Sequence, residues 1–280
     1  MLEGAQTQML TSSRRQFFGK AAGIAATGLT ASRLGAQDWA KAVVDKSPRK
    51  HEWVSVKHDA RAVDTFVVHP QAAKAPAMVV IHEIFGMTDW VQSVADEFAA
   101  AGFLAVAPDL ITGLGPNGAP VRNGSMQEAG GLIQKLPPDQ ITADLNAVAD
   151  YVKGLPGCNG KVCVVGFSWG GGESFRFATN RRDLSAAFVC YGSGPAADAI
   201  ARIQCPVYGF YAGNDQRIDA SVPPTQQLMK AANKPFEVVT YEGAGHGFMR
   251  AGADPAGSEA DKKARDAAWV KIKALQPSYK

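Results

Sequence analysis

From residue 51 onward, short apolar runs alternate with stretches where apolar residues return every three or four positions. Residues 51–58 and 62–69 are β-rich segments joined by a short polar turn, which predicts an opening antiparallel hairpin. Residues 77–82 form a continuous apolar run, as expected of a strand buried on both faces. Residues 90–101 carry Val91, Val94, Ala95 and Phe98 on one helical face, with Asp89 read as the cap. A strand at 103–107 follows. Residues 110–131 are rich in Gly, Pro and Asn and read as a long loop or short excursion. Asp139 is read as the cap of a helix to about Lys153, with Ile141, Leu145, Val148 and Val152 inward. A strand at 161–165 and a helix at 169–180 come next. Further strands are expected at 186–191, 206–211 and 236–241, with helices at 224–232 and about 258–275. Repeated strand–helix–strand units predict a mainly parallel sheet with helices on both faces. In such sheets the chemistry sits beyond the carboxyl ends of the strands.

Composition narrows the function more than the fold. A hydrophobic share of 46% and a charged share of 20% suit a soluble globular domain. The net charge of +3 is small, and Lys and Arg are scattered without a basic stripe, which argues against nucleic-acid binding. After the first forty residues no apolar run is long enough to span a bilayer. Cys158, Cys163, Cys190 and Cys205 form no CxxC pair and no Cys/His cluster with zinc spacing, so no metal is expected. Cys163 lies in an apolar strand and reads as a small core residue. The N-terminal segment Ser13-Arg14-Arg15-Gln16-Phe17-Phe18-Gly19-Lys20, followed by small apolar residues to Thr30, resembles a twin-arginine signal. Residues 1–36 are therefore expected to be an export segment cleaved near Ala36, although Leu34 is not ideal three positions before the cut. Residues 37–280 would be one domain, carried folded to the periplasm by the twin-arginine machinery.

The most informative segment runs from Val162 to Gly172. It places Gly166-Phe167-Ser168-Trp169-Gly170 between an apolar strand and a helix, the context a G-x-S-x-G nucleophile turn requires. A side chain at the tip of so sharp a turn needs tiny neighbours, which Gly166 and Gly170 supply. The Trp169 N–H would then face a developing oxyanion at a helix N-terminus. A serine hydroxyl needs a base to take its proton. His246, flanked by glycines after the strand at 236–241, is the candidate; His51, His58 and His69 lie in the hairpin region and suit surface roles. Asp215, after the strand at 206–211, is the candidate to orient the imidazole, with Asp219 as its competitor. The order Ser, Asp, His along the chain is that of α/β-hydrolases. Ile84, in the loop after the strand at 77–82, is the candidate second oxyanion donor. Glu83 stands beside it either as a carboxylate that shapes the loop or in a direct role. Phe85, Trp169 and Phe248 are candidates to line an apolar substrate pocket.

Taken together, these segments resemble the dienelactone hydrolase family. The matching pieces are His82-Glu83-Ile84-Phe85-Gly86, Pro108-Asp109-Leu110, the Gly166–Gly171 turn, Gly213-Asn214-Asp215 and Gly245-His246-Gly247-Phe248, spread over about residues 50 to 275. The resemblance implies an eight-stranded α/β-hydrolase core without a cofactor, hydrolysing dienelactones or related small esters. It also implies that Arg250, four residues after His246, binds a substrate carboxylate. Many members of the family use a cysteine nucleophile, which a glutamate equivalent to Glu83 helps to ionise. Ser168 cannot be pre-ionised in that way, so general-base activation by His246 is expected instead. A second family arginine has no counterpart at Ile111-Thr112-Gly113, which leaves the dienelactone itself in question. Acyl transfer or perhydrolysis on the same three residues, or a non-catalytic binding protein on this scaffold, are the rival expectations.

Overall fold

The computed structural model describes residues 37–279. The expected export segment, residues 1–36, lies outside the described residues. The chain opens with α1 (Asp38–Asp45), the hairpin β1 (His51–His58) and β2 (Arg61–Val68), then β3 (Ala75–Ile81), α2 (Asp89–Ala100) and β4 (Leu104–Pro108). Next come α3 (Met126–Ile133), α4 (Pro138–Gly154), β5 (Cys158–Phe167), α5 (Trp169–Asn180) and β6 (Leu184–Cys190). The remainder is β7 (Val207–Ala212), α6 (Gln216–Asp219), α7 (Val222–Ala231), β8 (Phe236–Tyr241), α8 (Phe248–Ala251) and α9 (Glu259–Leu275).

The strands form one eight-stranded sheet in the order β1-β2-β4-β3-β5-β6-β7-β8. The β1–β2 and β2–β4 pairings are antiparallel, and every other pairing is parallel. From β3 the chain moves outward to β4. It then crosses back over β3 to β5 and continues the opposite way. The strand order therefore reverses between β3 and β5, where a crevice opens at the carboxyl ends.

The side-chain alternation of the inner strands divides the core in two. Val79 and Ile81 of β3 pack with Leu145 and Val148 of α4, Phe175 of α5 and Met229 of α7. Met78 and Val80 face the other way, onto Trp90 and Val94 of α2 and Ala268 and Trp269 of α9. All seven residues of β3 are buried, which is why its sequence shows no polar alternation.

Several expectations needed correction. Thr88, not Asp89, caps α2, its hydroxyl accepting from the Val91 N–H; Asp89 sits one residue inside, near the positive end of the helix dipole. Asp139 likewise lies in the first turn of α4, whose cap position is Pro137. The segment 110–131 is not all loop, because α3 starts within it on a capping box made by Ser125 and Glu128. His58 is not a surface histidine. Its Nε2 lies 2.7 Å from Oδ1 of the buried Asp144, which also accepts from Arg61, tying the hairpin to α4.

All four cysteines are buried free thiols. Burial pushes the Cys163 and Cys190 thiols far up and the Cys205 thiol to about 11. Titration with Ellman's reagent should therefore find no fast-reacting thiol in the folded protein and four after denaturation. One rapid equivalent before denaturation would contradict this packing. Among the described residues, no helix is long and apolar enough to cross a membrane.

Candidate active site

Five strand ends, those of β3, β5, β6, β7 and β8, supply the site. Ser168 follows β5, at the junction with α5, with φ 54° and ψ −114°. This is a strained conformation for a non-glycine residue. The turn closes only because its neighbours lack side chains. A Cβ on Gly166 would lie 1.7 Å from the Gly170 carbonyl oxygen, and one on Gly170 would lie 2.3 Å from that of His82. The result is a serine raised above the sheet and a helix start pressed against the end of β3.

Asp215 follows β7 and His246 follows β8, and the two loops bring them together above β6. The His246 Nδ1 is hydrogen-bonded to Oδ2 of the buried Asp215. A carboxylate only accepts, so Nδ1 carries the proton and Nε2 is left with a lone pair. The Ser168 hydroxyl, 2.7 Å from that Nε2, donates to it. Among the described residues, the carboxylate paired with His246 is that of Asp215, whereas Asp219, the competitor from the same loop, has an unpartnered buried Oδ1. Its carboxyl is raised by burial and then by the charge of Asp215.

Beneath the imidazole lies Tyr191, fully buried directly after β6. Its ring meets that of His246 edge-on at 5.1 Å. Sequence reasoning passed over this residue; its place at a strand's carboxyl end was the available signal. Phe248 supports the same loop from below, packed against Tyr191 and Tyr241 at 5.3 and 5.2 Å. It is fully buried, so the expectation that it lines a substrate pocket is corrected. Phe85 is also buried, beneath the guanidinium of Arg250.

Glu83 and Arg250 are joined to each other. The Arg250 Nε donates to Glu83 Oε2 at 2.7 Å, and this carboxylate holds the guanidinium pKa above its usual value. The Glu83 side chain is 4% exposed, that of Arg250 27%. Replacing Arg250 by alanine leaves a carboxylate buried without its partner. The Arg250→Ala variant should lose about 2–3 kcal/mol in urea unfolding, less than a fully buried pair because Arg250 keeps some access to water. Unchanged stability would show that water reaches Glu83 freely.

A cleft of about 570 Å³ opens on Ser168. Its walls include Ile84, Trp169, Tyr191, Pro195, Arg217 and Ile218. Ile84 and Trp169 both line it, and among the described residues neither backbone N–H donates to a protein acceptor. Arg217, which sequence reasoning also missed, is exposed at the cleft wall.

A mostly parallel eight-stranded sheet with a serine on a strand-to-helix turn at its carboxyl edge defines an α/β-hydrolase. The chain belongs to the dienelactone hydrolase family, whose model matches residues 63–278. It is 29% identical over 206 residues to a carboxymethylenebutenolidase of Pseudomonas putida, covering 71% of this chain and 86% of the relative. It is 30% identical over 203 residues to a candidate carboxymethylenebutenolidase of Salmonella typhi, covering 65% and 72% of the two chains. The crystal structure of a candidate dienelactone hydrolase from Klebsiella pneumoniae superposes with a TM-score of 0.71 at 26% identity, covering 82% of this chain and 99% of that one. Membership in this family makes the chain a hydrolase of this kind.

Proposed function

We propose that the chain is a serine hydrolase that cleaves carboxylic esters or lactones through an acyl-enzyme. The observation that carries this reading is the unbroken hydrogen-bond chain from the Ser168 hydroxyl through His246 to Asp215. Ser168 attacks the substrate carbonyl while His246 Nε2 accepts its proton, and Asp215 stabilises the imidazolium that results. The Ile84 and Trp169 N–H groups hold the tetrahedral oxyanion. His246 then protonates the leaving alkoxide, and water repeats the cycle to release the acid.

The Glu83–Arg250 pair takes no part in proton transfer in this reading. Glu83 anchors the guanidinium through Nε, and in this reading the remaining Arg250 nitrogens bind a carboxylate on the substrate. A panel of p-nitrophenyl esters of rising acyl length, each with and without a terminal free carboxylate, tests both parts. Hydrolysis that Ser168→Ala abolishes is expected. The carboxylated esters should lose their KM advantage in Arg250→Lys, because a lysine cannot reproduce the planar fork. Hydrolysis of no ester or lactone by folded protein would remove the reading.

A further inference from the structure

One buried side chain lies against both residues assigned to the oxyanion hole without touching the cleft. His82, at the end of β3, has no solvent exposure. Its Nδ1 lies 2.7 Å from the Glu83 carbonyl oxygen, and its Nε2 lies 3.4 Å from the Leu110 backbone nitrogen. A carbonyl oxygen accepts and a backbone N–H donates, so the ring carries its proton on Nδ1 and a lone pair on Nε2. Burial pushes its pKa down to about 4, which keeps it neutral.

The Glu83 carbonyl and the Ile84 N–H belong to one planar trans peptide, in which the two groups point in opposite directions. A hydrogen bond that draws the carbonyl toward His82 therefore turns the N–H away from it and fixes the rotation of the plane. The His82 ring also stacks on Trp169, with centroids 5.4 Å apart and 21° between planes. The start of α5 rests on the His82 carbonyl, the close approach that excludes a side chain at Gly170. We propose that His82 is a positioning residue that aims the Ile84 N–H at the oxyanion and holds it in register with that of Trp169. This inference rests on the serine-hydrolase reading, because it assigns His82 a role in serving Ser168.

Two substitutions separate this role from simple filling of space. His82→Phe keeps a flat ring against Trp169 but removes the Nδ1 donor. His82→Asn loses the ring but places an amide N–H near the Nδ1 position. Complete loss of one oxyanion donor costs about 10²–10³ in kcat. A donor left in place but no longer aimed should cost less, so His82→Phe is expected to lower kcat for p-nitrophenyl acetate about 10–100-fold with KM little changed. His82→Asn should recover most of that loss; a merely structural role would give the reverse order, because asparagine fills less of the space. Equal impairment of the two variants, or wild-type kcat in His82→Phe, would overturn the proposal while leaving a Ser168-dependent hydrolase standing. A Ser168→Ala enzyme as active as the wild type would instead overturn the hydrolase reading and this inference with it. Should His82→Phe not fold, the wild-type protein decides: a ¹⁵N-histidine NMR spectrum at pH 7 should show His82 as the neutral Nδ1–H tautomer. An Nε2–H tautomer or an imidazolium at that pH would overturn the assignment.

Discussion

His246→Ala should lower kcat for a p-nitrophenyl ester by about 10⁴–10⁶, with KM changed little. The size of the effect follows from the chemistry of the hydroxyl. Without the imidazole 2.7 Å away to accept its proton, Ser168 is a poor nucleophile at neutral pH. The three residues act as one unit, so their losses should not add. Ser168→Ala and the double variant should each fall to about the same residual rate as His246→Ala. Asp215→Asn should cost about 10⁴, because it favours the tautomer with the proton on Nε2, which cannot accept from Ser168. Steady-state kinetics on the four variants check this pattern. A double variant far worse than either single one would mean that the serine and the imidazole work independently.

Gly166→Ala should destabilise the fold by at least about 3 kcal/mol and abolish ester hydrolysis. The new Cβ would lie 1.7 Å from a backbone carbonyl, that of Gly170, and backbone cannot swing aside as a flexible side chain can. Relief requires α5 to move off the end of β5, and Ser168 moves with it. Gly172→Ala is the informative contrast. Its Cβ would meet nothing nearer than the Ser193 hydroxyl, at 3.4 Å, an ordinary contact, and the site lies inside a helix. Alanine there should leave stability unchanged or raise it by up to about 1 kcal/mol. Urea unfolding of the two variants measures the difference. Equal stability of both would contradict a turn closed by backbone contact at Gly166.

What could be read from the sequence followed local pattern. The apolar runs marked the inner strands because those strands are buried on both faces, and the edge strands were legible from their turns. The nucleophile turn was legible because steric demand writes itself into adjacent residues as glycine. Helix ends were less so: Thr88 and Asp89 are neighbouring residues that can both cap, and only the hydrogen bond to Val91 separates them. The helix α1 went unread because it is short and directly follows the expected export segment, although its buried residues Ala40 and Val44 recur at helical spacing. The helix α3 did carry a local signal, Ser125 three residues before Glu128, but it sat inside a stretch rich in loop-forming residues.

The site was legible only where each residue announced itself. Ser168, Asp215 and His246 each follow a strand in a glycine-bearing loop, and the sheet brings those loops together. The Glu83–Arg250 pair spans 167 positions, and no local pattern reports that one charge neutralises the other. Phe248 looked like a pocket residue because it stands two positions after His246. It is core because α8 begins there and turns the ring under the loop. Tyr191 and His82 were unread as parts of the site for a related reason: they hold other residues in place, and although His82 opens the matched segment His82–Gly86, nothing local reports what its ring touches.

Labelling with a fluorophosphonate followed by peptide mass spectrometry tests the central claim most directly, since the probe reacts only with an activated serine lodged beside an oxyanion hole. One adduct per chain, on the peptide containing Ser168, with labelling slowed by orders of magnitude in His246→Ala, is the expected result. A folded, ester-hydrolysing protein whose Ser168 stays unlabelled, or labels as fast without His246, would contradict it.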